Sequence, residues 1–539
     1  MTIDKPEEVF DREWEWAALA EFAVAPRVPR LGIVSGRRRQ GKSFLLRRLC
    51  AHPTVDGLYV LAQEQTRQVA LQQFADALSA QLGVPDSLRF TGWDGALRFA
   101  VHQSAARGDD GARLLVLDEF PYLLRHSPEL PSVIQSVYDE ARNEPGASGM
   151  RLILCGSALS VMTELLSGQH PLRGRAVLDL GLRAFHYRDA ASYWGITNPE
   201  VAFEVHAVFG GTAGYRDLVD EPPPERPDGM TRWLGRHVFD PARTLLTEAE
   251  YLLREDPRIT DRALYQSVLT AISAGAGTPS KIGAILGRGD RALAHPLAVL
   301  ESGGFIRRGG DVLRQRGTQW MLVDPIIRFT ELVLAPRRSE FEEHRGEAAL
   351  SAAEHTISAQ IHGPHFEELC REWTARFAAE EALGRVPGPV GTTVIADQRG
   401  RARHELDVVA LEAGETPGRK DAQVALIGEA KSTNRPRTTA DLARLDYLRG
   451  LLVEQGTPAS GAMIALFSRS GFDAGLHKAA AGRPDVVLVD LDRLYGRNWL
   501  PAAGPFAATE PGIPRHIGTR RGSSGGGAGQ AGIVRMRAG

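Results

Sequence analysis

The sequence predicts an α/β protein of several domains, the first of which is a doubly wound parallel sheet. Its 539 residues exceed what one hydrophobic core usually organises, so three or four domains are expected. Between about 30 and 190, short runs of Val, Ile and Leu alternate with segments of helical periodicity. Unalternated runs of this length are typical of parallel strands covered by helices on both faces. The strand runs are LGIVSG, GLYVLA, RLLVLDEF and MRLILCGS.

The remainder of the chain divides into further segments. From about 190 to 260 the pattern is helical, interrupted by Gly210-Gly211 and by three successive prolines. Helical patterns and a short β-ribbon then follow in the order of a winged helix-turn-helix. The end of the chain is rich in Gly, Ser and Arg, which predicts disorder. The predicted domains are 8–190 (first α/β domain), 191–260 (helical lid region), 261–336 (winged helix-turn-helix), 340–500 (second α/β domain) and 501–539 (disordered tail).

Composition narrows the class of protein. A net charge of −2 gives the whole molecule no general attraction for nucleic acid, so such binding would require local basic patches. Cys50, Cys155 and Cys370 are widely separated, which argues against disulfides and a zinc ribbon and fits a reducing compartment. The first residues lack the apolar core of a signal peptide, and no apolar run has the length of a membrane helix. We therefore expect a cytoplasmic protein with no membrane partner.

A phosphate-binding loop follows the first strand. GRRRQGKS, at 36–43, satisfies every position of the pattern G-x-x-x-x-G-K-[ST] and lies between a predicted strand and a predicted helix. Glycines let backbone N–H groups turn toward phosphates, and the helix N-terminus adds partial positive charge. Lys42 is expected at the β- and γ-phosphates and Ser43 on Mg²⁺. The predicted nucleotide contacts are Gly36, Arg37, Arg38, Arg39, Gln40, Gly41, Lys42, Ser43 and Phe44.

Two acidic residues follow a later strand of the same domain. Asp118 and Glu119 end the run RLLVLDEF, at the sheet edge where open α/β sheets bind ligands. Asp118 is a candidate outer partner of Mg²⁺, and Glu119 is a candidate base that orients the attacking water. A chance Gly/Lys loop becomes an unconvincing alternative once this pair is found in the expected order.

Several further residues in this domain have two interpretations each. Ser157 ends another strand and either senses the γ-phosphate or caps the next helix. Arg173 and Arg175 are candidate arginine fingers or charge sensors, or simply surface arginines. The three arginines inside the loop, 37–39, either contact phosphate or face solvent.

The ordered motifs resemble the archaeal-type ATPases of the STAND/AAA-like group. The resemblance rests on the loop, on LDEFPYLL, LILCGSALSVM, PLRGRAVLDLGLRAFHYRDA and VFGGTAGYRDLV, and on WMLVDPIIRFT after the winged helix, and it covers about 8–495. It implies ATP rather than GTP, dependence on Mg²⁺, and ATP-driven switching or remodelling.

Six arginines cluster on the predicted recognition helix and wing. Arginines there can contact phosphate or guanine. The alternative is an interdomain or protein-binding module with a solvated basic face, since Asp290 and Asp311 dilute the charge. The arginines are Arg288, Arg291, Arg307, Arg308, Arg314 and Arg316.

An acidic cluster with a lysine is predicted in the second α/β domain. Asp407 lies in one apolar strand, and Glu429 and Lys431 lie on one face of the next. Glu367, on the preceding helix, is expected to complete the cluster. Carboxylates that hold Mg²⁺ or Mn²⁺, with a lysine, are what metal-assisted phosphodiester hydrolysis requires. The alternative is a surface ion pair between Glu429 and Lys431, with Asp407 at a strand edge.

This pattern resembles the PD-(D/E)xK nuclease-like fold of restriction endonucleases over about 360–495. Asp407, Glu429 and Lys431 match the motif, Glu367 matches the helix-borne acid often found upstream, and Leu406 replaces the proline of the pattern. The predicted protein is thus an ATP-driven switch that controls a DNA-directed nuclease-like effector. The alternatives are a switch whose C-terminal domain only binds partners, and a nucleotide-dependent transcription regulator. ATP is the expected ligand, and DNA, a protein partner and a second copy of the chain are candidate partners.

Overall fold

The computed structural model describes residues 3–24, 29–84, 87–105, 113–143, 150–254, 256–315, 319–419 and 421–496. The chain divides into two compact units, Met1–Trp499 and Leu500–Gly539, and every described residue lies in the first. The predicted disordered tail and Arg316 fall outside the described residues. Among the described helices, none is both long enough and apolar enough to cross a bilayer.

The first domain contains the predicted parallel sheet. Its five strands run in the order β2-β3-β4-β1-β5, and all neighbours are parallel. The fold-class prediction is confirmed for this sheet. The strands are β1 Arg30–Ser35, β2 Leu58–Leu61, β3 Leu114–Asp118, β4 Arg151–Gly156 and β5 Ala176–Gly181.

Helices cover both faces of this sheet. Side chains alternate along each strand, so that Ile33 packs into one core and Val34 into the other. Both cores are closed to water, which explains why the strands read as continuous apolar runs. The helices of this domain are Glu13–Val24, Lys42–Ala51, Arg67–Leu82, Trp93–Ala105, Phe120–His126, Leu130–Asn143 and Leu159–Glu164.

The middle of the chain is helical and ends in a hairpin. Strands β6 Ile306–Gly309 and β7 Gln319–Leu322 pair in antiparallel fashion after three successive helices. The predicted lid region and winged helix share one hydrophobic core, which runs from Trp194 to Ile361. The principal helices are Tyr187–Tyr193, Pro199–Phe209, Glu248–Arg254, Arg262–Ser273, Pro279–Leu286, Asp290–Ser302, Pro325–Phe329, Arg338–Glu342 and Gly346–Ala352.

The C-terminal domain has a separate, mixed sheet in the order β12-β11-β10-β9-β8. Strands β8, β9 and β10 form an antiparallel meander, whereas β10, β11 and β12 are parallel. The strands are β8 Val390–Asp397, β9 Ala402–Leu411, β10 Val424–Lys431, β11 Met463–Ser468 and β12 Val486–Asp490. The helices are Gly363–Arg376, Thr439–Glu454, Ala474–Ala481 and Leu491–Leu494.

The connection between β6 and β7 reaches the edge of this second sheet. The Val312 N–H donates to the Thr392 carbonyl at 3.0 Å, and Thr393 Oγ1 donates to Asp311 Oδ1 at 2.7 Å. Val312 and Leu313 are buried in the core of the C-terminal domain. The tip of the predicted wing is therefore packed against protein.

Candidate functional site

The loop after β1 wraps around the ammonium group of Lys42. Gly41 has a φ of 90°, and a Cβ at Gly36 would lie 2.7 Å from the Leu182 carbonyl oxygen, so both positions require glycine. Lys42 is buried and donates to the carbonyls of Gly36 at 2.6 Å and Arg37 at 3.0 Å. The ammonium group therefore lies inside the loop, and Lys42 is the first residue of the helix Lys42–Ala51.

Asp118 lies at the carboxyl end of β3, beside the loop. Ser43 Oγ donates to Asp118 Oδ2 at 2.6 Å, the Tyr59 hydroxyl donates to the same oxygen, and the Glu119 N–H donates to Oδ1 at 2.9 Å. Burial by itself raises the pKa of Asp118, but hydrogen bonds from Cys155, Ser43 and Tyr59 keep the pKa below its ordinary value. The buried carboxylate is thus negatively charged at neutral pH. No motif in the sequence pointed to Tyr59.

Glu119 and Ser157 contact each other across the ends of β3 and β4. The Ser157 hydroxyl donates to Glu119 Oε2 at 3.0 Å, and the backbone N–H of Ser157 lies 3.4 Å from the same oxygen. The N-cap of the helix Leu159–Glu164 is Ala158, without a side-chain hydrogen bond. The alternative in which Ser157 caps that helix is therefore wrong. Its hydroxyl instead holds the carboxylate of the candidate base.

A cavity of about 570 Å³ opens beside the loop. Its volume is in the range of sites for small molecules and cofactors. Phe10, Phe185 and Tyr193 line it and contact one another, with ring centroids 5.2–5.6 Å apart. The loop residues 38–44 and Glu119 line the same cavity. The polar residues of the loop and an aromatic wall therefore line one cavity, and no sequence motif had indicated this wall.

Two of the loop arginines make ion pairs with distant segments. Arg37 Nη1 lies 3.1 Å from Asp324 Oδ2, and its guanidinium lies over the Phe305 ring. Arg39 makes a bidentate pair with Glu248, with Nε–Oε1 and Nη2–Oε2 distances of 2.7 and 2.9 Å. Neither side chain simply faces solvent. Arg38 lines the cavity.

The candidate arginine fingers have local partners. Arg175 makes a bidentate pair with Asp139 at 2.9 and 2.7 Å, and Arg173 donates to the Gly168 carbonyl at 2.7 Å. The described residues that line the cavity beside the loop include neither arginine. Their assignment as finger or sensor stays a prediction.

Two half-buried carboxyl groups of the C-terminal domain, those of Glu367 and Asp407, influence each other electrostatically. Asp407 on β9 lies next to β10, where its Oδ2 accepts the N–H of Ala430 at 2.8 Å. Burial and the nearby charge of Asp407 raise the pKa of Glu367 to about 7. Burial raises the pKa of Asp407 to about 6, with a further contribution from the charge of Glu429. Arg371 Nη1 lies 3.7 Å from Glu367 Oε2 and its charge lowers both pKa values, but the opposing effect of burial is larger.

Glu429 has a different environment from these two acids. The guanidinium of the buried Arg437 lies 2.8 Å from Glu429 Oε2, and Lys431 and Arg444 approach Oε1 at 3.6 and 3.5 Å. The ion pair between Glu429 and Lys431 is thus present. Over the part of the chain that the structure describes, no three His, Cys, Asp or Glu side chains are arranged to hold a metal ion. As they lie, the predicted acids are not a ready-made three-carboxylate site.

The predicted basic surface is only partly available. Arg307 lies 3.4 Å from Glu368, and Arg308 pairs with Glu301 at 2.9 Å and lies over the Trp320 ring. Arg288, Arg291 and Arg314 are exposed. Arg307 and Arg308 of the predicted wing therefore take part in contacts within the chain, whereas Arg288 and Arg291, just before and within the helix Asp290–Ser302, are accessible.

Comparisons with known proteins give distant similarities. No family model matches the chain. An uncharacterized protein of Methanocaldococcus jannaschii is 23% identical over 338 residues, which cover 62% of this chain and 70% of that protein. The Walker-type ATPase of Pyrococcus abyssi has 20% identity and a TM-score of 0.47, with 61% of this chain and 98% of that chain covered. The ORC2 protein of Aeropyrum pernix, as ADPNP–ADP complexes, has 16% identity and a TM-score of 0.42, with 65% and 97% covered.

Proposed function

We propose that this protein is a switch that binds and hydrolyses ATP at the loop 36–43. The observation that carries the proposal is the convergence of Lys42, Ser43 and Asp118 at the carboxyl edge of the first sheet, with the Ser43 and Asp118 oxygens 2.6 Å apart. A buried lysine and the helix N-terminus provide positive charge for the phosphates. The adjoining cavity has room and an aromatic wall for the base.

The site also has residues suited to Mg²⁺ and to the attacking water. Ser43 and Asp118 offer only oxygen atoms, the donors that Mg²⁺ prefers, so they fit as holders of the ion. When bound with ATP, Mg²⁺ neutralises charge on the phosphates. Glu119 is placed to accept a hydrogen bond from water, and Ser157 fixes the position of its carboxylate. These roles correspond to the hydrolysis of a phosphoanhydride bond.

Calorimetric titration with ADP, ATP and GTP tests the binding proposal. We expect saturable binding of ADP and ATP that strengthens when Mg²⁺ is present, and weaker binding of GTP. Release of phosphate from ATP, followed in parallel, reports hydrolysis. The absence of any nucleotide binding by the folded protein would contradict the proposal.

A second candidate function, metal-dependent cleavage of DNA, is favoured by the acids of the C-terminal domain. Glu367 and Asp407 are half-buried carboxyls with raised pKa values, and a bound divalent cation would favour their ionised forms. The helix Gly363–Arg376, the antiparallel meander and the helix Thr439–Glu454 support the nuclease-like assignment. Lys431, beside Glu429, is the candidate to steady a developing negative charge.

Nicking of supercoiled plasmid DNA with Mg²⁺ or Mn²⁺ tests this second function. We expect cleavage by the unmodified protein and its loss in Asp407→Ala and Lys431→Ala. Activity should rise between pH 6 and pH 8, because cation binding requires the ionised forms of carboxyls with pKa values of about 6 and 7. Glu454→Ala, which changes an exposed carboxylate of the same domain, is the control. Undiminished nicking by Asp407→Ala would show that this group of acids does not catalyse the cleavage.

DNA binding through the winged helix is a third, separable proposal. It is supported by the exposed side chains of Arg288, just before the helix Asp290–Ser302, and of Arg291 within it. Replacing both by Ala should weaken DNA binding and reduce the slope of log affinity against log salt by about one for each phosphate that is no longer bound. Arg232→Ala, at an exposed arginine of the short helix Met230–Trp233, is the control. Unchanged affinity and salt slope in the double variant would contradict a role for this surface.

A further inference from the structure

The phosphate loop contains a backbone conformation that its side chain does not favour. Arg39 has a φ of 67°, in the left-handed region where a side chain is strained and glycine is not. Such a conformation persists only where surrounding contacts determine it. Alternating left-handed residues turn successive N–H groups inward, so this conformation helps to form the phosphate cradle.

Contacts from outside the first sheet hold Arg39. Glu248, only 2% exposed, accepts two hydrogen bonds from the Arg39 guanidinium, at 2.7 and 2.9 Å. The Gly214 N–H donates to the Arg39 carbonyl at 2.8 Å. A bidentate pair of this kind fixes both the position and the plane of the guanidinium. The loop is therefore attached by side chain and backbone to the helical middle of the chain.

A second contact holds the same loop two residues earlier. Arg37 pairs with Asp324, which also caps the helix Pro325–Phe329 by accepting the Ile326 N–H at 3.1 Å and accepts the Tyr215 hydroxyl at 3.3 Å. Asp324 lies just after the hairpin of β6 and β7. The buried carboxylates of Glu248 and Asp324, from different elements, thus pair with two arginines of the eight-residue loop.

We propose that Glu248 is a positioning residue that keeps the phosphate loop in its nucleotide-binding conformation through Arg39, with Asp324 as a second anchor through Arg37. This inference rests on the proposed nucleotide site. It implies that the loop is complete only while the middle of the chain is docked against it. By linkage, bound nucleotide strengthens that docking to the same extent that docking strengthens nucleotide binding.

The test is a double-mutant cycle read out as ADP affinity with Mg²⁺. Glu248→Gln should weaken ADP binding about tenfold, the change that about 1.4 kcal/mol produces. Glycine adopts the left-handed conformation without a side-chain anchor. In an Arg39→Gly background, the same Glu248→Gln change should therefore alter ADP affinity less than about twofold. An equal loss in both backgrounds, or no loss in either, would overturn the proposal.

Further variants separate positioning from folding. Asp324→Asn keeps the helix cap and removes the charge that faces Arg37, and it should weaken ADP binding less than Glu248→Gln does. Glu248→Asp keeps the charge but shortens the side chain, so an intermediate affinity is expected. Thermal unfolding of each variant shows whether a change in affinity follows only from lost stability; such a correlation would count against the proposal. If the unmodified protein binds no nucleotide, the proposed function fails instead.

Discussion

Lys42→Ala is expected to abolish measurable binding of ADP and ATP. The ammonium group is buried inside the loop, where its present partners are the carbonyls of Gly36 and Arg37. In the nucleotide complex it would contact the β- and γ-phosphates, and each charge-assisted hydrogen bond is worth roughly 1.5–3 kcal/mol. Two such hydrogen bonds correspond to a loss of at least about 100-fold in affinity.

Calorimetry with ADP measures this effect, and phosphate release from ATP measures its consequence for turnover. Arg48→Ala is a matched control, because it removes an exposed positive charge from the same helix. Folding of the Lys42→Ala protein is checked by circular dichroism. Affinity within about threefold of the unmodified protein, in a folded variant, would show that the loop is not the phosphate site.

Glu119→Gln is expected to retain ATP binding and to lose hydrolysis by a factor of about 10²–10⁴, the usual contribution of a positioned general base. Glutamine has nearly the same shape and can still accept the hydrogen bond from Ser157, so the local geometry is kept. What disappears is the negative charge that draws a proton from the attacking water. The expected signature is an unchanged dissociation constant with a much lower kcat.

Single-turnover phosphate release with saturating ATP distinguishes lost chemistry from lost binding. Glu140→Gln, which changes an exposed carboxylate of the same domain, should behave like the unmodified protein. Normal ATP hydrolysis by Glu119→Gln would mean that another group activates the water. The assignment of Asp118 as Mg²⁺ partner would then need its own test, because Asp118 contacts Ser43 independently of Glu119.

Four of the five strands of the first sheet, and the phosphate loop, could be predicted because their signals are local. Each of the four predicted strands is a run of mainly apolar residues, and all the residues that define the loop motif lie within eight consecutive positions. The edge position of Asp118 follows from the same pattern, because carboxyl ends of parallel strands meet at one edge. No local pattern in the sequence indicated which strands are neighbours in the sheet.

The partners of the loop arginines could not be predicted. Arg39 and Glu248 are separated by 209 residues along the chain, and Arg37 and Asp324 by still more. Only the packing of the middle of the chain against the first domain brings them together. The two interpretations offered for these arginines, phosphate contact or solvent, omitted the ion pair because nothing in the neighbouring sequence indicates a partner.

In the C-terminal domain, the pattern located the acids but not their environments. Period-2 alternation correctly placed Glu429 and Lys431 close to each other. It did not reveal that Arg437 pairs with Glu429, whereas burial raises the pKa values of Glu367 and Asp407. That difference arises from burial and from the turn after β10, neither of which a single sequence displays.

The hydrogen bond between the hairpin tip and β8 has a consequence for the independence of the C-terminal domain. An outer strand presents unpaired backbone groups on which another chain can add a strand, and proteins commonly cover such edges. Here Val312 occupies part of that edge, and its side chain fills the core behind it. A fragment that begins near 340 would expose both the strand edge and the space left by Val312 and Leu313. We therefore expect such a fragment to self-associate through the open edge more readily than the whole chain does.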